Sequence, residues 1–223
     1  MKTVIIIPYR NRETHLSYWL KNTYPLITAV TKDVEVIIVE QAEGKQFNRG
    51  ITSNIGYLYY NNPDYNYIVH DVDINPIDKE LIAEYGKNAG DDKFIAVYSA
   101  KNTLGGISKF KGKTFKKVNG FPNDFWGWGH EDKDLLNRAK FYNCIIERKI
   151  DKNSADDAKL KIFNDNHIRR ENNKHHFVYV LWPKLSKTQR ENYIKSNGLS
   201  TLKYNLLSEE TLMDGVKKII VEV

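Results

Sequence analysis

Near its start the chain runs through Thr3-Val4-Ile5-Ile6-Ile7, five β-branched residues in a row, and stops at Pro8. Branching at Cβ favours extended backbone, and a run with no polar alternation has no face to offer to water. Such a segment is predicted to be a strand buried on both faces of a parallel sheet, which requires helices above and below it. Val34-Glu35-Val36-Ile37-Ile38-Val39 is a second buried run. Between the two, Leu16, Trp19, Leu20 and Ile27 recur at roughly helical spacing through Arg12 to Val30. A helix-like stretch from Asn48 to about Asn61 follows, and a short strand from Tyr67 to His70 feeds straight into Asp71-Val72-Asp73. Strands alternating with helices argue for an α/β fold, whose ligands gather at the C-terminal ends of the strands. Pro8-Tyr9-Arg10, Gln41 and Asp71 to Asp73 all fall there.

Further on, Lys79 to Tyr85 reads as helix, Phe94 to Tyr98 as strand, and Gly105-Gly106 opens another short strand. Leu135, Leu136 and Ala139 give Glu131 to Phe141 a helical period, and Cys144 to Glu147 returns as a strand. Asp151 to Asp157 and Asn164 to His176 read as exposed loops, so 223 residues are expected to form a single domain. An aromatic content of 12% excludes a disordered chain. The net charge of +6 would suit an anionic partner, but the lysines and arginines are scattered, and the densest group, Lys109 to Lys117, reads as a short surface run. No nucleic acid is expected as a partner. A lone Cys144 asks for no oxidising compartment, and the opening apolar run is too short for an integral membrane segment and lacks a signal-peptide pattern. The reading is cytoplasmic.

Two constellations carry chemistry. In extended backbone Asp71 and Asp73 point to one side, where two carboxylates can converge on a hard divalent cation and its phosphate ligands. His167 is a candidate further donor, with His175 and His176 equal rivals on composition. In Phe125-Trp126-Gly127-Trp128-Gly129-His130-Glu131-Asp132, the glycines make a hinge and the indoles offer flat faces for sugar rings. Glu131 and Asp132 then open a helix whose macrodipole favours their ionised form, and an ionised carboxylate there can take a proton from a sugar hydroxyl. Arg10, Arg12 and Arg49 stand at the same edge, where guanidinium groups meet phosphate or a uracil edge.

These residues resemble the β-1,4-galactosyltransferase family, glycosyltransferase family 7, nearly end to end. The resemblance is carried by Ile7-Pro8-Tyr9-Arg10-Asn11-Arg12, Gln41 with Phe47-Asn48-Arg49, Asn54-Ile55-Gly56, and His70-Asp71-Val72-Asp73. Gly105-Gly106-Ile107-Ser108, Asn119-Gly120-Phe121-Pro122 running into Trp126-Gly127-Trp128-Gly129, and Asn197 to Tyr204 complete it. It implies a GT-A fold in one catalytic domain without the membrane anchor of animal members. Residues 1–75 would be a nucleotide-binding half, and 76–223 an acceptor and metal half with flexible loops near 126–131 and 164–182. Carried across by motif, Asp73 and His167 would hold Mn²⁺, and Asp132 would be the catalytic base, with Glu131 supporting the donor pocket. Pro8, Tyr9, Arg10, Arg12, Phe47, Arg49, Asp71, Val72, Trp128 and Gly129 would bind the UDP-sugar donor. Trp128, Asp132 and Lys133 would meet the glycan acceptor, and Thr103 and Gly106 would set donor selectivity.

The chain departs from the family pattern at several places. His130 stands where many members have glycine, and Lys133 replaces a carboxylate that grips the acceptor sugar. Asn164 stands where animal members place a methionine metal ligand. Thr103 replaces the tyrosine that restricts donors to galactose, which leaves room for an N-acetyl group. The implied function is inverting, Mn²⁺-dependent transfer of a hexose from UDP-Gal or UDP-GalNAc to a glycan hydroxyl, forming a β-linkage. Two alternatives stand beside it: a metal-dependent nucleotidyltransferase, for which the Trp-Gly-Trp-Gly block has no use, and a catalytically silent glycan- or nucleotide-binding module of the same fold.

Overall fold

The computed structural model describes residues 1–152, 158–163 and 174–223. Its centre is an eight-stranded mixed sheet. The strands are β1 (Thr3–Tyr9), β2 (Val34–Gln41), β3 (Asn66–His70), β5 (Lys93–Ser99), β6 (Ile107–Lys111), β7 (Ile145–Asp151), β9 (Asn205–Met213) and β10 (Val216–Glu222). Across the sheet they run β7-β5-β6-β3-β1-β2-β10-β9. β1 pairs in parallel with both β2 and β3, and β2 with β10; β6 lies antiparallel between β3 and β5. A separate antiparallel pair joins β4 (Ile74–Pro76) to β8 (Leu160–Ile162). Every residue of β1 is buried, as the unbroken β-branched run predicts. Val4 and Ile6 enter the core beneath α3 (Arg49–Tyr60), while Ile5, Ile7 and Tyr9 enter the opposite core with Leu16, Trp19 and Ile27.

The helical stretch after β1 has three parts: α1 (Glu13–Tyr18), a π-helical turn over Trp19–Thr23, and α2 (Tyr24–Val30). Pro25 in the first turn of α2 has no N–H to donate, and the wider turn falls directly before it. α4 (Lys79–Gly86) is capped by Asp78, whose carboxylate accepts from the Glu80 and Leu81 amides. α5 (Gly112–Lys117) and α6 (Glu131–Phe141) follow, then helical turns at Phe177–Leu181 and Trp182–Lys184, and α7 (Lys187–Ser196).

The strands and helices expected from the hydrophobic pattern are present, with two corrections. Lys109 is not a surface lysine: it is fully buried on β6, and its ammonium donates to the carbonyls of Glu84 and Lys87, which end α4. Burial pulls its pKa down to about 8. Within the polar stretches read as loops, β7 continues to Asp151, and His175 and His176 are helical, leading into the turn at Phe177–Leu181.

Candidate active site

β3 ends at His70, whose ring is buried away from the ligand edge. Trp19 Nε1 donates to its Nε2 at 3.3 Å, so the ring proton sits on Nδ1 and is donated to the Asp71 carbonyl at 3.0 Å. Burial pushes this imidazole's pKa down to about 4. The chain then turns sharply, with the Ile74 amide donating to the Asp71 carbonyl at 3.1 Å. Asp71-Val72-Asp73 is therefore a turn and not the extended segment expected, and strand alternation does not aim its carboxylates. The Val72 side chain is buried in the core, so only its backbone is offered to a ligand. The Asp73 carbonyl accepts from the Phe163 amide at 2.9 Å, which fixes the turn beside the end of β8. His167 and Asn164 lie outside the described residues.

Asp71 is held by Arg49, the first residue of α3. Asn48 caps that helix by accepting from the Ile51 amide at 2.9 Å, which orients Arg49. Arg49 Nε donates to Asp71 Oδ1 at 2.6 Å, Nη1 lies 3.5 Å from Glu131 Oε1, and the guanidinium covers the Phe121 ring at 5.5 Å. Burial opposes its charge, but Asp71 and Glu131 outweigh burial and its pKa is raised. Both Nη atoms are buried without a hydrogen-bond partner among the described residues.

Glu131 and Asp132 start α6, and the path into it is unusual: Gly127, Gly129 and His130 have φ of +91°, +102° and +73°. A left-handed residue is inexpensive for glycine and uncommon for histidine. The Gly127 amide donates to the Phe47 carbonyl at 2.9 Å, Trp126 packs against the core, and Trp128 is 48% exposed. Of the two indoles, Trp126 thus serves the core and Trp128 is exposed. Neither acid behaves as the macrodipole alone predicts. Burial, then the Asp132 charge, raises Glu131 to about 7 against the pull of Arg49. Burial also raises Asp132, opposed by Arg49, by the Lys133 amide donating to Oδ1 at 2.7 Å, and by Thr103.

The Gly105-Gly106 segment forms the wall opposite Asp132. A Cβ on Gly105 would lie 2.5 Å from Asp132 Oδ2, so only glycine admits the carboxylate there. Gly106 has φ +66°, a Cβ on it would meet the Tyr98 carbonyl at 2.5 Å, and its own carbonyl accepts from the Asp71 amide at 3.0 Å. Thr103 sits in the preceding turn, its hydroxyl 2.9 Å from Ser99 Oγ and 3.3 Å from the Ala100 carbonyl. Arg148 ties the same turn by donating to the Ala100 and Thr103 carbonyls at 3.1 and 3.0 Å.

Arg10 donates to the Lys45 carbonyl at 2.8 Å and lies over the Phe47 ring at 5.5 Å. The Arg12 amide donates to the Tyr9 hydroxyl at 3.3 Å. The Tyr9 side chain, 2% exposed and with its pKa pushed up to about 12 by burial, belongs to the core and is no side-chain ligand for a donor. His175 stacks on Tyr179 at 4.7 Å and meets His130 at 5.3 Å.

Sequence reasoning missed the supports. Asn54 brackets Phe121, accepting from its amide and donating to its carbonyl, both at 2.9 Å. The Asn123 amide donates to Asn197 Oδ1 at 2.7 Å, and Asn48 Nδ2 donates to the Asn123 carbonyl at 2.9 Å. Arg138 and Asp134 form a wholly buried ion pair at 2.6 Å, one helical turn past the acids. Their i, i+4 spacing was the visible signal.

A family model described as the N-terminal region of glycosyl transferase group 7 matches residues 1–84, and one described as the N-terminal domain of galactosyltransferase matches residues 89–157. Bovine β-1,4-galactosyltransferase 1 is 34% identical over 154 residues, covering 66% of this chain and 38% of that protein. β-1,4-Galactosyltransferase 4 of Cricetulus griseus is 33% identical over 221 residues, covering 94% and 60%. A Lymnaea stagnalis β-N-acetyl-D-glucosaminide β-1,4-N-acetylglucosaminyl-transferase is 38% identical over 157 residues, covering 66% and 32%. The chain therefore spans less than two thirds of the length of these relatives. A crystal structure of a mutant Drosophila β-1,4-galactosyltransferase 7 in complex with manganese, UDP-Gal and xylobiose superposes with a TM-score of 0.78 at 20% identity, covering 100% of this chain and 94% of that one. The fold is that of the GT-A galactosyltransferases, and among the described residues no helix is long and apolar enough to cross a membrane. With consecutive parts of its sequence matched to one family and its whole fold shared with a member, the chain belongs to the β-1,4-galactosyltransferase family, glycosyltransferase family 7.

Proposed function

We propose that the chain is an inverting, Mn²⁺-dependent glycosyltransferase that moves galactose or N-acetylgalactosamine from a UDP-sugar to a hydroxyl of a glycan acceptor, forming a β-linkage. The observation that carries this reading is the convergence of Arg49, Asp71 and Glu131 at the end of β3, with Asp132 beside them against Gly105. In this reading Asp132 accepts the proton of the acceptor hydroxyl as that oxygen attacks the anomeric carbon, a role typically worth ~10²–10⁴ in rate. Glu131 supports the donor sugar, and Arg49 Nη2, which makes no hydrogen bond among the described residues, suits a phosphate or uracil oxygen. Arg10 and Phe47 flank the nucleotide, with Arg12 beside them; Pro8, Tyr9 and Val72 contribute backbone. Trp128 and Gly129 cover the donor, and Trp128 also faces the acceptor.

Mn²⁺ is the metal bound in the Drosophila relative's crystal. Oxygen and imidazole donors suit that ion, and Asp73 with His167 would hold it. The described residues contain no group of three or more His, Cys, Asp or Glu able to hold a metal, so in this reading His167 and the donor's pyrophosphate complete the shell. When bound, the ion supplies neutralisation of charge growing on the UDP leaving group. Thr103 is small and its hydroxyl is tied back to Ser99 and Ala100, and in this reading that side of the donor pocket accepts an N-acetyl group. A relative named as an N-acetylglucosaminyl-transferase supports a donor pocket of that breadth within the family.

The test is UDP release by the purified chain with Mn²⁺, using UDP-Gal, UDP-GalNAc, UDP-Glc and UDP-GlcNAc against a panel of sugars. Metal- and acceptor-dependent turnover with UDP-Gal or UDP-GalNAc is the expected result, and Asp132→Asn abolishes it while donor binding persists. Pyrophosphate release when UTP and a sugar 1-phosphate are supplied, with no UDP released from any UDP-sugar, assigns a nucleotidyltransferase, and binding without turnover for every pair assigns a silent module.

A further inference from the structure

α6 carries more than the two acids at its start. Lys133, Asn137 and Lys140 follow at i, i+4 and i+7, which places them on one face along about 10 Å of helix. The Lys133 ammonium lies over the Tyr179 ring at 5.3 Å. Tyr179 is 41% exposed. Lys133 is partly desolvated, and Lys140 and Arg148 are close enough to lower its pKa further, against the pull of Asp132. At the far end of the stripe is a cleft of about 320 Å³ lined by Asn137, Lys140, Phe141, Trp182, Pro183 and Arg190. Arg190 lies over the Trp182 indole at 5.7 Å and donates to the Trp182 and Pro183 carbonyls, which fixes its position. The neighbouring acid, Glu191, is occupied by Lys195 at 2.7 Å. Cations held over aromatic faces at both ends of one helix face make a track for an extended chain with negative charge and sugar-like flat surfaces.

We propose that the acceptor is an anionic glycan lying along this face of α6, its carboxylate or phosphate groups held by Lys133 near Asp132 and by Lys140 and Arg190 in the cleft. The proposal rests on the transferase reading for the role of Asp132, but the charge of the occupant is decided by binding alone. The probes are a hyaluronan tetrasaccharide with alternating uronates, chitotetraose as its neutral counterpart, and a phosphorylated tetrasaccharide of matched charge. Calorimetry is run on the chain with Mn²⁺ and UDP, and a DNA oligonucleotide reports attraction due to net charge only.

The expected result is binding of at least one anionic glycan probe about fivefold or more tighter than chitotetraose at low salt, an advantage that shrinks in 0.5 M NaCl. A preference for the hyaluronan probe identifies uronates, and one for the phosphorylated tetrasaccharide identifies phosphates. Lys140→Met combined with Arg190→Gln removes most of the advantage, and thermal melts confirm that the variant is folded. Lys133→Met, read separately, removes the part near Asp132. Equal binding of charged and neutral probes overturns the proposal, as does DNA binding that matches the glycans and ignores the variants. If UDP is released with neutral acceptors but no anionic preference exists, the transferase stands and the anionic acceptor falls. If no UDP is released from any donor, the transferase falls, and the binding series still decides the charge of the occupant.

Discussion

Gly105→Ala tests the proposed base without touching it. The Gly105 backbone is one alanine also adopts, so the substitution acts through the new methyl group alone, which would lie 2.5 Å from Asp132 Oδ2 and 3.4 Å from its Cβ and Cγ. Restoring ordinary contact of about 3.4 Å moves that oxygen roughly 0.9 Å. The obstacle is the end of a side chain and not backbone, so rotation of Asp132 relieves it, and the stability cost stays at or below about 2 kcal/mol. A displacement of about 1 Å at a reacting group costs about 10²-fold in rate. kcat from UDP release at saturating donor is therefore expected to fall about 100-fold, while the donor Kd from calorimetry and the urea midpoint change little. A Gly105→Ala enzyme with wild-type kcat would refute the argument, because a carboxylate in that position could not be the base.

Other predictions follow from buried charge. Asp134→Ala leaves the wholly buried Arg138 without its partner and is expected to cost about 3–5 kcal/mol in urea unfolding, whereas replacing both by apolar residues of similar size recovers much of the loss. His70 has a folded pKa of about 4 against 6.5 unfolded, so the unfolded chain binds more protons between those values. Its contribution is complete above pH 6.5 and is lost as pH falls to 4, amounting to about 3 kcal/mol; a His70→Asn variant is expected to lack that slope in pH-dependent melts. Glu131, raised to about 7 beside a raised Asp132, makes the two acids titrate together. kcat/KM is expected to fall as pH drops through about 7, and Glu131→Gln to move that limb; a flat profile from pH 6 to 8 would sink the assignment.

The parts of the fold that were legible in the chain are those whose reasons are local. β1 follows from an unbroken β-branched run, and α3 matches the helix-like stretch from Asn48 to about Asn61. α6 follows from Leu135, Leu136 and Ala139. What was not legible depends on distant partners. Lys109 is buried because the carbonyls closing α4, 22 and 25 residues away, accept from its ammonium. Asp-Val-Asp alternates like a strand, and only the bond from the Ile74 amide reveals the turn. The macrodipole that favours an ionised Glu131 is visible in a sequence, whereas the burial that raises its pKa is not. Tyr9 and Val72 belong to a ligand-edge motif, yet β1 and the turn direct both side chains inward.

The asparagine supports also bear on the order of events in folding. The bonds from Asn54 to Phe121, Asn123 to Asn197 and Asn119 to Ile194 close loops of 67, 74 and 75 residues. The entropy of closing such loops is lost before their bonds are gained, whereas α6 is stabilised within a few residues. Refolding chains therefore recover helical signal first, and the acids of α6 are seated against Arg49 only after these long closures, so recovery of turnover trails recovery of secondary structure.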